Sequence, residues 1–109
     1  MPQVIPSEYL AARQLDVLPR PLAPPQPRYP ESAPLVPGVV VLLLLIDELG
    51  MVTDARVLSA EPPGYFEEAA LEAFRGALFH PGQREGRAVK SRLPVEVSFD
   101  PEPVAAVPR

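Results

Sequence analysis

The residues able to do chemistry in this chain are few and poorly placed for it. Glu67, Glu68 and Glu72 come closest, three carboxylates within one short stretch. Paired carboxylates act as acid and base only when a cleft holds them in different environments. Here they fall on the polar side of a helical pattern, where water keeps them alike. His80 is the only histidine, so no second imidazole is available for a metal site. Its place after Phe79, at a helix end, suits a cation facing the helix carbonyls. There is no cysteine, which removes disulfides and thiolate ligands and leaves the compartment open. No Gly-rich phosphate loop and no nucleophile beside a base is present. The expectation is a protein that binds rather than catalyses, with no catalytic residue, no cofactor and no metal.

Arg84, Arg87, Lys90 and Arg92 form a local basic patch in which Glu85 is the only acid. Such a run is either the solvated face of a strand or a patch that steers an acidic or polar partner, an effect on association rate and salt dependence more than on affinity. The net charge of −4 argues against a nucleic-acid partner, whose binding rests on clustered Lys and Arg.

These residues must be positioned by a small scaffold. A chain of 109 residues with 47% apolar content has room for one domain and one modest core. Proline is the outlier at 17 residues, ten of them within residues 1–37. The expected organisation is a proline-rich, partly extended lead over 1–28, a folded domain over 29–100 and a flexible tail over 101–109. A weak helical turn is expected around Ser7–Leu15 with Ser7 as its N-cap. PRPLAPPQPR, residues 19–28, reads as polyproline II, because proline removes backbone donors and holds each preceding residue extended. MPQVIPSEYLAARQL lacks the basic start and apolar stretch of a secretory signal. The run Val39–Ile46 is far short of the roughly 20 residues that a membrane-spanning helix needs.

The body begins near Pro37-Gly38. VVVLLLLID is apolar at odd and even positions alike, so both its faces should be buried, as in a central strand. The turn DELG leads into MVTDARVLSA, a second, half-exposed strand in hairpin with the first. Pro62-Pro63-Gly64 stops it. A helix is expected over Tyr65–Leu78, with Phe66, Ala70, Ala73, Phe74, Ala77 and Leu78 on one stripe; Phe74→Ala would cost about 3–5 kcal/mol if that face is core. GRAVKSRLPVEVSF then reads as one strand, with Val89, Ser91, Leu93, Val95, Val97 and Phe99 facing the core. Pro94 cannot donate to a ladder, which places it on an edge with its missing N–H facing outward. The predicted fold class is α+β, a three-stranded antiparallel sheet in spatial order 2-1-3 with one main helix on one face. Its third strand leaves an open edge, a liability unless covered or used.

The succession QPRYP, an apolar strand ending in Asp47-x-x-Gly50-x-Val52, then Leu58-Ser59-Ala60, the Phe-containing helix and Phe79-x-Pro81-Gly82 resembles the C-terminal domain of the TonB family over about residues 26–99. The resemblance implies a periplasmic module of an energy transducer. In that family an N-terminal helix anchors the protein in the inner membrane and engages motor proteins there; this chain lacks such a helix and would reach the motor only through it. The C-terminal domain grips the TonB box, a short segment of outer-membrane receptors, which adds as a strand to the open sheet edge beside the QPxYP stretch. Carried over, the partner-binding residues are Gln26, Pro27, Tyr29 and Pro30, with Arg87, Val89, Lys90 and Arg92 on an edge strand spanning Arg87–Phe99. Pro94 would interrupt the pairing, confining it to the Arg87–Arg92 half. The alternative is a stand-alone structural or adaptor module of the cell envelope without receptor-box binding. An upstream membrane helix would favour the transducer, a gene starting at Met1 the adaptor. The first strand's second face needs cover, which either the lead, through Tyr9, Leu10, Leu15 or Leu18, or a second copy in a homodimer would supply.

Overall fold

A computed structural model describes residues 7–101; residues 1–6 of the lead and 102–109 of the expected tail lie outside the described residues. In chain order the elements are β1 (Arg20–Pro21), β2 (Gly38–Ile46), β3 (Val52–Glu61), α1 (Glu67–Phe74), β4 (Phe79–His80), β5 (Gly82–Arg84), β6 (Arg87–Val89) and β7 (Ser91–Phe99). The principal sheet is β3-β2-β7 and wholly antiparallel. This is the predicted α+β arrangement, with the first long strand central, the second and last flanking it.

The central place of β2 follows from its side chains. Val40, Leu42, Leu44 and Ile46 face α1 and are fully buried, in one core with Phe66, Ala70, Phe74, Phe79, Val97 and Phe99. Leu43 and Leu45, on the opposite face, are buried too. A strand apolar on both sides must be covered on both, which an edge position with one free flank serves poorly. The β2–β3 turn is fixed by Asp47, whose carboxylate accepts the N–H groups of Leu49 at 3.0 Å and Met51 at 2.8 Å. Gly50 there has φ +85°, and a Cβ on it would collide with the Phe79 carbonyl. The β2–β3 register slips twice, leaving Leu58 and Thr53 unpaired in β3. Such bulges twist an edge strand away from further pairing.

Three expectations are corrected in detail. The helix is only Glu67–Phe74, because Arg75 is already extended and Gly76 sits at φ +77°. Leu78 therefore leaves the stripe and is half exposed, and His80 lies in β4 rather than at a helix C-terminus. The N-terminal turn is a short 3-10 helix, Ala12–Gln14, capped by the Gln14 side chain accepting the Ala11 N–H at 2.8 Å, not by Ser7. Lastly, Arg87–Phe99 is not one strand. β6 pairs with β5 in a separate hairpin, and the sheet edge begins at Ser91.

The lead is woven onto the body. Leu10 forms a parallel bridge to Ser91, Val17 an antiparallel one to Gln83, and β1 pairs with β4. Residues 20–21 are thus a short edge ladder, not polyproline II. The Leu22 N–H donates to the Leu78 carbonyl at 2.9 Å while the Phe79 N–H turns to Gly50, so Pro21 stands at a position that needs no donor. The Tyr9 hydroxyl meets Thr53 Oγ1 at 3.0 Å, and Ala11 is buried beside Leu43 on the second face of the sheet. Leu15 instead lies against Gly82, and Leu18 is half exposed.

Candidate partner-binding site

The QPRYP stretch is held by its tyrosine. The Tyr29 ring meets Phe66 edge-on at 5.4 Å between centroids. Its hydroxyl accepts the Val36 N–H at 3.1 Å and shares its hydrogen between the carbonyls of Val36, at 2.8 Å, and Pro34. Phe66 in turn stacks on Phe99 at 4.8 Å. The column Tyr29–Phe66–Phe99 therefore ties the lead to the C-terminal end of β7. Gln26, Tyr29 and Pro30 line an open groove whose far wall is α1, with Tyr65, Glu68 and Glu72; Pro27 is half-buried.

The three helix carboxylates all have structural duties. Arg75 bridges Glu72 at 2.5 Å and Glu68 at 3.4 Å, all exposed. Glu67 folds back to accept the Gly64 N–H at 2.9 Å, and that bond holds its carboxyl below the usual range. An acid kept ionised by a backbone donor resists protonation, the opposite of what a general acid requires.

The second group of candidate residues sits elsewhere. Arg87 and Val89 belong to the hairpin, where Arg87 faces Arg84 across the turn. Lys90 is engaged by the lead: its ammonium lies 3.4 Å from Glu8 and over the Tyr9 ring at 5.6 Å. The Glu8 charge is the main reason its pKa rises above the ordinary lysine value. Arg92 is half-buried on the second sheet face. The structure brings Gln26, Tyr29 and Pro30 together at one end of β7, and Lys90 and Arg92 at the other. Nine residues of strand separate the two ends, roughly 27 Å at the usual rise. Sequence reasoning missed Phe66 and Phe99 as the link between Tyr29 and β7; their aromatic type was visible, their stacking across 33 residues was not.

The free edge itself can be read from two hydrogen bonds. The Arg92 N–H donates to the Leu10 carbonyl at 2.9 Å, and the Leu10 N–H to the Lys90 carbonyl at 3.0 Å. Backbone groups alternate direction along an antiparallel strand, so the even-numbered residues of β7 point theirs outward. Pro94 is among them, and its missing N–H costs the sheet nothing. Beyond it, Glu96 and Ser98 present N–H and C=O groups that no other segment among the described residues takes. The expected pairing half, Arg87–Arg92, is thus the half already occupied, by β5 and by Leu10; the open half is Pro94–Phe99.

Among the described residues, no helix is long and apolar enough to cross a membrane. A family model described as the Gram-negative bacterial TonB protein C-terminal matches residues 25–101. No curated protein matches the chain.

Proposed function

The chain belongs to the TonB C-terminal family, and on that premise we propose that its open β7 edge takes the TonB box of an outer-membrane receptor as an added strand. As a TonB-type periplasmic domain it serves energy transduction and transport rather than catalysis. In the proposed cycle the receptor segment pairs along Pro94–Phe99 and reaches the Tyr29–Phe66–Phe99 column. Gln26, Pro27 and Pro30 border that end, while Lys90, Arg92 and the Arg87–Val89 hairpin flank the other. The pull originates in inner-membrane motor proteins and reaches the domain along its backbone.

The observation that supports this reading best is the row of outward backbone groups at Glu96 and Ser98, left open on a strand whose other half is capped. Main-chain hydrogen bonds give such docking its affinity, and alternate side chains its selectivity. Each added bond contributes about 0.5–1.5 kcal/mol, so this short ladder fits a reversible grip. The test is a titration of the ¹⁵N-labelled protein with TonB-box peptides from receptors of its own organism. Amide shifts should concentrate at residues 94–99 and at Gln26–Tyr29. A flat titration at millimolar peptide would remove the docking proposal.

A further inference from the structure

Beside the open half of β7, on the sheet face opposite α1, lies a cavity of about 280 Å³. Leu43 and Pro94 contribute its apolar lining, Ala11 and Ala12 its backbone wall, and Arg13 and Arg92 its charges. Neither arginine makes an ion pair among the described residues. In a chain of net charge −4, two unpaired guanidinium groups sharing one cavity are a local excess of positive charge. The acids closest to them in the sheet do not neutralise it. Asp54, across Leu45 from Arg92, is paired with Arg56 at 2.9 Å, and Glu96 lies one pleat beyond Pro94 along the strand.

We infer that this cavity is a selectivity subsite for an acidic side chain on the strand that docks to β7. The inference rests on the strand-addition reading above. Leu10 already occupies the edge between Lys90 and Arg92, so an incoming strand starts opposite Pro94. Residues paired across a ladder share a face, and Pro94 shares the face of Arg92. The first paired side chain of the newcomer therefore lands over Pro94 at the mouth of the cavity. A short carboxylate there lays its stem on Pro94 and Leu43 and meets Arg92 and Arg13 as an acceptor for charge-assisted hydrogen bonds. Two residues further on, the same face presents Glu96, which disfavours a second acid. The pocket thus asks for an acid at one position and not at the next on that face.

Half of this subsite comes from Ala11, Ala12 and Arg13, upstream of residues 25–101 that the family model matches. The selectivity is accordingly a property of this chain's own lead rather than of the family scaffold.

The test uses the TonB-box peptides already named and a set in which each position in turn carries Asp or Asn, with affinities read by fluorescence anisotropy. One position is expected to favour Asp over Asn by about three- to fivefold in the wild type, the range for a partly exposed ion pair. That preference should vanish in Arg13→Gln and in Arg92→Gln, and persist in Arg20→Gln, which lies on the distant β1–β4 ladder. Amide spectra of each variant check that the fold is retained. Binding without any Asp preference, or with one that survives in the Arg13→Gln/Arg92→Gln double variant, overturns the subsite while leaving strand addition standing. Failure of every peptide to bind overturns both.

Discussion

Ser91 carries a fully buried hydroxyl whose oxygen has no hydrogen-bond partner among the described residues. A buried unpaired polar group costs about 1–3 kcal/mol, so Ser91→Ala should raise stability by about 1 kcal/mol in urea unfolding. A lower midpoint would show that the hydroxyl is satisfied by water. Glu67 makes a prediction with pH. Its folded-state pKa is lowered by the Gly64 N–H, so its contribution is present above the ordinary carboxylate value, about 4.3, and is lost as pH falls through the lowered folded value. Between pH 6 and pH 3 the wild type should therefore lose more stability than Glu67→Gln, measured by thermal unfolding at each pH. At Tyr29, removing the hydroxyl in Tyr29→Phe frees the Val36 backbone groups and should cost about 1 kcal/mol, with faster amide exchange at Val36. The ring stays on Phe66, so the domain itself remains folded.

The elements differ in how much of them the chain announces locally. The sheet order was legible because two independent residues agreed: the central strand has no polar face from Val39 to Ile46, and Pro94 can stand only on an edge. The break at Lys90 was not, because Arg87, Val89 and Ser91 keep one alternation while the strand changes partner. Alternation reports which face a side chain takes and is blind to which strand lies beside it. The signal that marks the hairpin is the turn Glu85-Gly86, both at positive φ, 54° and 77°, which glycine adopts freely and glutamate only under strain. Replacing Glu85 by glycine should relieve about 1 kcal/mol of left-handed strain and raise the melting temperature; the Asp16 carboxylate accepts the Glu85 N–H at 2.5 Å and would keep that backbone donor in place. The lead was illegible for a different reason. Its prolines erase the periodicity on which strand assignment depends, and its backbone-pairing partners lie more than 50 residues away in sequence. Of the candidate site, Tyr29 and the open edge could be anticipated. That the edge is open at its Pro94–Phe99 half depended on Leu10, which nothing nearby in sequence identifies.

For the molecule as a whole, the lead decides how much of the sheet is available. Leu10→Pro removes the N–H that donates to Lys90 and should detach the bridge. Amide exchange at Arg92, protected in the wild type, should then accelerate at least tenfold, and box peptides should extend their pairing toward Ser91; unchanged exchange would mean the bridge is not what protects Arg92. The same weave has a mechanical side. Tension arriving along the backbone from the N-terminal direction meets Leu10, then Val17, then Arg20–Pro21, before it reaches Tyr29 and the sheet. Each of these is a ladder of one or two residues, so they peel in turn while β2, β3 and β7 stay intact. Freeing residues 10–22 lets out roughly 40 Å of contour at the extended spacing of the chain. A domain gripped at one end and towed from the other would thus carry its own slack, paid out under load before the grip itself is strained.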